Sequence, residues 1–111
     1  MLRNPTMRVA AASAAAFATL LLVRTASAGE AIRIEMKSLG FMPAQASARV
    51  GDTIEWVNSD FVAHTATARN GAWEVTIPAG ATRRIVLDRA GTIAYYCRFH
   101  PNMIGELRIA E

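Results

Sequence analysis

Three candidate metal donors stand close together near the C-terminus. They are Cys97, His100 and Met103, in the spacing Cys-x2-His-x2-Met. The chain has one cysteine and two histidines, and the second histidine, His64, lies well upstream. Taken singly, each has an ordinary explanation. A free cysteine is usually a small buried hydrophobe. A lone histidine is usually a hydrogen-bonded loop residue, and a methionine at the start of a strand is usually core filler. Taken together, every histidine and the only cysteine fall into one donor pattern.

The chemistry of that pattern is specific. A thiolate is soft and binds copper in both oxidation states. Two imidazoles complete a trigonal plane, and a thioether adds a weak, long axial bond. Such a set compromises between the geometries that the two oxidation states prefer, so little has to move when an electron arrives. The pattern predicts one copper ion held by His64, Cys97, His100 and Met103. Zinc is the rival metal, but its structural sites rarely use methionine. A c-type haem would need Cys-x2-Cys-His, which is absent.

These donors need a scaffold that brings a distant histidine to a tight loop. Ile32, Ile34 and Met36 alternate with Arg33, Glu35 and Lys37, the period of a strand with one wet face. Thr53–Val57 repeats the pattern, and Trp73–Ile77 and Thr82–Leu87 follow it less cleanly. Thr92–Cys97 is rich in aromatic residues, and Ile104–Ala110 closes the chain. Turn signals separate these runs: Gly51-Asp52, Asn70-Gly71, Pro78-Ala79-Gly80 and Ala90-Gly91. The stretch from Asn58 to Gly71 reads as loop with one short strand at most. No window after Gly29 has a helical period, so the chain is expected to be all-β, a sandwich or barrel. The ligand loop would follow the strand ending at Cys97 and precede the one starting near Ile104.

The 111 residues are enough for one domain. Arg3 and Arg8 precede an apolar run from Val9 to Val23, and Ala26-Ser27-Ala28 follows as a small-x-small cleavage signature. Residues 1–28 are therefore expected to be an export leader cut after Ala28, with residues 29–111 as the working domain in the periplasm. The run is too short to span a bilayer as a helix. The whole chain carries a formal charge of +3, but Arg3, Arg8 and Arg24 leave with the leader, and the remainder is neutral. Nucleic-acid binding thereby loses its electrostatic support. About half of the remaining residues are apolar, enough for a modest core, and without a disulfide a metal is a natural staple.

The sequence resembles the cupredoxin family. The resemblance rests on Gly51-Asp52-Thr53-Ile54-Glu55-Trp56-Val57-Asn58, then His64, then the run Gly91 to Met103 that carries Tyr95-Tyr96-Cys97-Arg98-Phe99-His100-Pro101-Asn102. The two-residue spacing between His100 and Met103 is similar to the amicyanin branch. The resemblance implies a Greek-key β-sandwich of about seven or eight strands with one type 1 copper near one end. It implies Cys97 as the thiolate, His64 as the more buried imidazole, His100 as the imidazole near the surface, and Met103 as the axial ligand. There are departures. Thr65 stands where the family often has Asn, Ala63 where Pro often precedes the first histidine, and Phe99 where amicyanin-like loops often have Pro. Such neighbours tune potential and partner choice.

The implied function is single-electron transfer between redox proteins, not catalysis. A periplasmic dehydrogenase as donor and a c-type cytochrome as acceptor would follow from the amicyanin likeness. Docking is expected around His100, Phe99 and Pro101, with Met42, Pro43, Phe61 and Val62 nearby, and a monomer is expected. Copper delivery, storage or sensing is the alternative. Of Tyr95 and Tyr96, adjacent on one strand, one should enter the core and one should face out.

Overall fold

The structure, a computed structural model, describes residues 29–111 together with residues 3, 14–16, 18 and 19. The leader expected over residues 1–28 lies outside the described residues apart from those few. The described residues form nine strands and no helix. These are β1 (Ala31–Lys37), β2 (Gly40–Met42), β3 (Gln45–Arg49), β4 (Thr53–Asn58), β5 (His64–Ala68), β6 (Glu74–Ile77), β7 (Thr82–Val86), β8 (Gly91–Tyr96) and β9 (Ile104–Ala110).

Two sheets result, ordered β2-β1-β4-β7 and β3-β9-β8-β5-β6. β1 lies parallel to β4, and β3 lies parallel to β9; every other pairing is antiparallel. The chain changes sheet between β2 and β3, β3 and β4, β4 and β5, β6 and β7, and β7 and β8. These crossings make a two-sheet β-sandwich.

The alternation read from the sequence builds the core. Ile34 and Met36 of β1 and Ile54 and Trp56 of β4 are fully buried on one sheet. Ile93 and Tyr95 of β8 and Leu107 and Ile109 of β9 are buried on the other. Full burial of such side chains contributes about 1.5–3 kcal/mol each. Phe41, Trp56, Trp73 and Tyr95 form an aromatic cluster, with the Tyr95 ring 4.7 Å from Phe41 and 5.0 Å from Trp56, both edge-on. Burial pushes the Tyr95 phenol well up, so it stays protonated. Tyr96 faces outward, half-buried beneath the Arg69 guanidinium.

β2 and β3 were not marked by the sequence pattern. β2 is three residues long, and the inner face of β3 carries only Ala46 and Ala48, too little apolar bulk to show a period. β5 falls inside the stretch read mainly as loop, yet it is a central strand of its sheet. Its residues His-Thr-Ala-Thr-Ala are nearly all buried, so both faces are covered and the polar-apolar alternation disappears.

β5 positions the site. It runs antiparallel to β8 with Thr67 opposite Tyr96 and Ala68 opposite Tyr95. Its first residue, His64, therefore lies beside the loop that leaves β8. On the other side of β8, Gly105 pairs with Tyr95, and a Cβ there would lie 2.2 Å from the tyrosine Cζ. Gly105→Ala is accordingly expected to lower stability by about 1–3 kcal/mol through overpacking. Urea unfolding checks this; an unchanged midpoint would mean that the ring does not sit against Gly105.

Candidate metal centre

The ligand loop is closed by its own backbone. The Cys97 N–H donates to the Met103 carbonyl at 3.0 Å, the His100 N–H to the Cys97 carbonyl at 3.3 Å, and the Met103 N–H to the His100 carbonyl at 2.8 Å. Two successive three-residue turns thus bring residues 97, 100 and 103 together, which is what the Cys-x2-His-x2-Met spacing achieves. Cys97 and Met103 are buried, and His100 is half-buried.

His64 arrives from the start of β5 and is fully buried. Its Nδ1 lies 3.7 Å from the Cys97 Sγ, and its Nε2 lies 2.7 Å from the Asp60 Oδ2. The carboxylate fixes the tautomer: Nε2–H donates to Asp60, and the Nδ1 lone pair faces the sulfur. Asp60 is itself held in place. Its Oδ1 accepts the Ser38 N–H at 2.8 Å and its Oδ2 the Leu39 N–H at 3.1 Å. Burial alone would raise the Asp60 carboxyl. The hydrogen bonds from His64, Leu39 and Ser38 outweigh it and hold the group below its ordinary 3.8. The stability this contributes is complete above that ordinary value and is lost as pH falls through the lower folded one. The short loop carrying Asp60 is pinned by buried Asn58, whose Nδ2 donates to the Val62 and Ile77 carbonyls and whose Oδ1 accepts the Asp60 N–H.

Thr65 ties the two ligand segments. Its N–H donates to the Cys97 Sγ at 3.3 Å, and its Oγ1 accepts the Arg98 N–H at 2.8 Å. Threonine is short, but the antiparallel register brings residue 98 opposite residue 65, so short is sufficient.

The donors fit a metal ion. The His100 Nδ1 also lies 3.7 Å from the sulfur, and the three donor atoms all lie within 4.8 Å of one another. Bonds of about 2.3 Å to sulfur and about 2.0 Å to nitrogen, the lengths a first-row ion takes with these donors, would separate sulfur and nitrogen by about 3.6–3.8 Å. The two imidazole rings meet edge to face, 5.0 Å between centroids. One thiolate with two imidazoles is a soft, electron-rich set suited to copper.

The structure therefore unites His64, Cys97 and His100 as the spacing predicts, with His64 buried and His100 nearer the surface. Met103 closes the same loop with its side chain buried. Phe99, Met42, Phe61 and Val62 are exposed, as are Pro101 and Pro43, whereas Phe41 belongs to the core. Asp60 escaped the sequence reading, and Asn58 entered it only as part of the Gly51–Asn58 run, with no role assigned. The four-residue offset between Asp60 and His64 was the available signal, but Asp60's other partners lie in a distant turn that no local pattern announces.

The sequence matches the cupredoxin-like domain over residues 9–109, and the chain belongs to that family. Its fold is similar to a reduced amicyanin variant, 24% identical with a TM-score of 0.63, covering 71% of this chain and 81% of that one. It is similar also to a purple cupredoxin from Nitrosopumilus maritimus, 23% identical with a TM-score of 0.64, covering 71% and 99%. A copper-containing nitrite reductase from Thermus scotoductus is 28% identical with a TM-score of 0.64, covering 72% of this chain but 22% of the reductase. No curated protein matches the sequence. Family and geometry together make this a type 1 copper site, and the chain a blue-copper protein of the electron-transfer class.

Loss of the carboxylate behind His64 should be felt at the metal. Asp60→Asn is expected to weaken copper binding by about 10–100-fold while the protein still folds. Competition against a chelator of known affinity measures this, and wild-type affinity in the variant would show that Asp60 does not orient the imidazole.

Proposed function

We propose that this protein is an exported, periplasmic electron carrier that takes single electrons from one redox protein and gives them to another. Met103 is its weak fourth ligand. The observation that carries the reading is the pairing of a sealed sulfur with a half-buried imidazole. Cys97 and His64 are fully buried and held by Thr65 and Asp60, while His100 reaches the surface between exposed Phe99 and Pro101. When bound, copper supplies a one-electron couple. The chain supplies donors already at bonding separation, so little rearrangement accompanies the change of charge.

Exposed Phe61 and Val62 lie between Asp60 and His64, and exposed Phe99 lies in the ligand loop beside His100. An apolar rim of this kind suits brief docking through a small interface. The neutral charge expected after leader removal gives no strong long-range steering. A dehydrogenase as donor and a c-type cytochrome as acceptor fit this chemistry. Delivery or storage of copper fits less well, because release would have to pass two buried ligands. Cupredoxin domains also occur inside enzymes, but both histidines of this chain belong to the one site.

Voltammetry of the copper-loaded protein is expected to show a reversible one-electron wave, and the reduced protein to reduce an oxidised c-type cytochrome. Phe99→Glu should slow that reaction about tenfold or more with the potential nearly unchanged. Loss of copper on reduction would instead favour delivery. N-terminal sequencing of the exported protein is expected to begin at Gly29; an intact N-terminus would contradict the leader.

A further inference from the structure

A closed ring of hydrogen bonds runs from the ligand loop to the protein surface and back. The Arg98 N–H donates to the Thr65 Oγ1 at 2.8 Å. Thr65 Oγ1 and Thr67 Oγ1 lie 3.0 Å apart. The Thr67 hydroxyl donates to the Glu74 Oε1 at 3.1 Å. The Arg98 guanidinium then pairs with the same carboxylate oxygen. Direction follows from proton counting. An ionised carboxylate only accepts, so the single Thr67 proton goes to Glu74, and Thr65 must donate to Thr67. The Thr65 oxygen is then free to accept from Arg98.

The register makes this ring possible. Thr65 and Thr67 are two apart on β5 and share a face, and Thr67 lies directly opposite Glu74 on β6. Arg98 enters twice, by its amide at one end and its side chain at the other. The amide belongs to the peptide bond that Cys97 begins, and the same Thr65 gives its own N–H to the Cys97 sulfur at 3.3 Å.

We infer that Thr67 and Glu74 are positioning residues for the thiolate. They hold Thr65 so that its N–H stays on the sulfur and the Cys97–Arg98 peptide stays in one orientation. The inference rests on the copper-carrier reading for its redox consequence but not for its structural one. An N–H donor stabilises the state with more negative charge on sulfur, which is the reduced state. Loosening the ring therefore lowers the potential.

Thr67→Val breaks the ring with no change of charge and little change of shape, and Thr67→Ser restores the hydroxyl. In the copper-free protein, amide hydrogen exchange at Arg98 should speed up about tenfold in Thr67→Val relative to the core amides of β9, and recover in Thr67→Ser. In the copper-loaded protein, the ratio of oxidised-state to reduced-state copper affinity should rise about tenfold in Thr67→Val, which for a one-electron couple is about 59 mV downward. Arg98 exchange within twofold of wild type would overturn the ring. Faster exchange with an unmoved potential would overturn its action on the thiolate. If the wild-type protein took up no copper, the carrier reading would fail, and the exchange result alone would decide the ring.

Discussion

The structure is organised around one buried sulfur. A thiolate carries charge, and charge placed in a protein interior is costly unless it is paired and hydrogen-bonded. Cys97 is fully buried, with two imidazole nitrogens and one amide N–H directed at it. A cation among those donors completes the compensation. The donors come from two separate stretches of chain, so the sandwich must fix how those stretches meet. The β5–β8 pairing does this: it sets Thr65 opposite Arg98 and places His64 beside the ligand loop.

A second layer keeps the donors aimed. Asp60 holds His64 and at the same time answers two amides of the β1–β2 turn. That turn has Ser38 and Leu39 at φ of 52° and 57°, conformations that cost free energy for residues other than glycine. The carboxylate helps to offset that cost, so the imidazole, the carboxylate and the strained turn depend on one another. Thr65 has the same double role on the other side of the sulfur. The site is stiff where its donors are buried and open where His100 meets solvent, the combination an electron carrier requires.

Much of this was legible in the sequence. Strong alternation in Ile32–Met36 and Ile54–Trp56 marked two strands, and the Cys97, His100 and Met103 spacing marked a loop that folds back on itself. His64 could be joined to that loop because it was the only histidine left. β3 and β5 were less legible because small or polar residues are buried there, and burial by a neighbouring sheet leaves no trace in hydropathy. Thr67 and Glu74 were invisible for a related reason. Each acts through a partner brought near by strand register, and register is a property of the assembled sheets.

The central claim is that the Cys97 sulfur is a copper ligand. Titrating the copper-free protein with Cu(II) under visible absorption, beside Cys97→Ser, tests it most directly. The account predicts an intense thiolate-to-copper band that saturates at one equivalent and is absent from the variant. Copper uptake without that band, or the same band in both proteins, would contradict it.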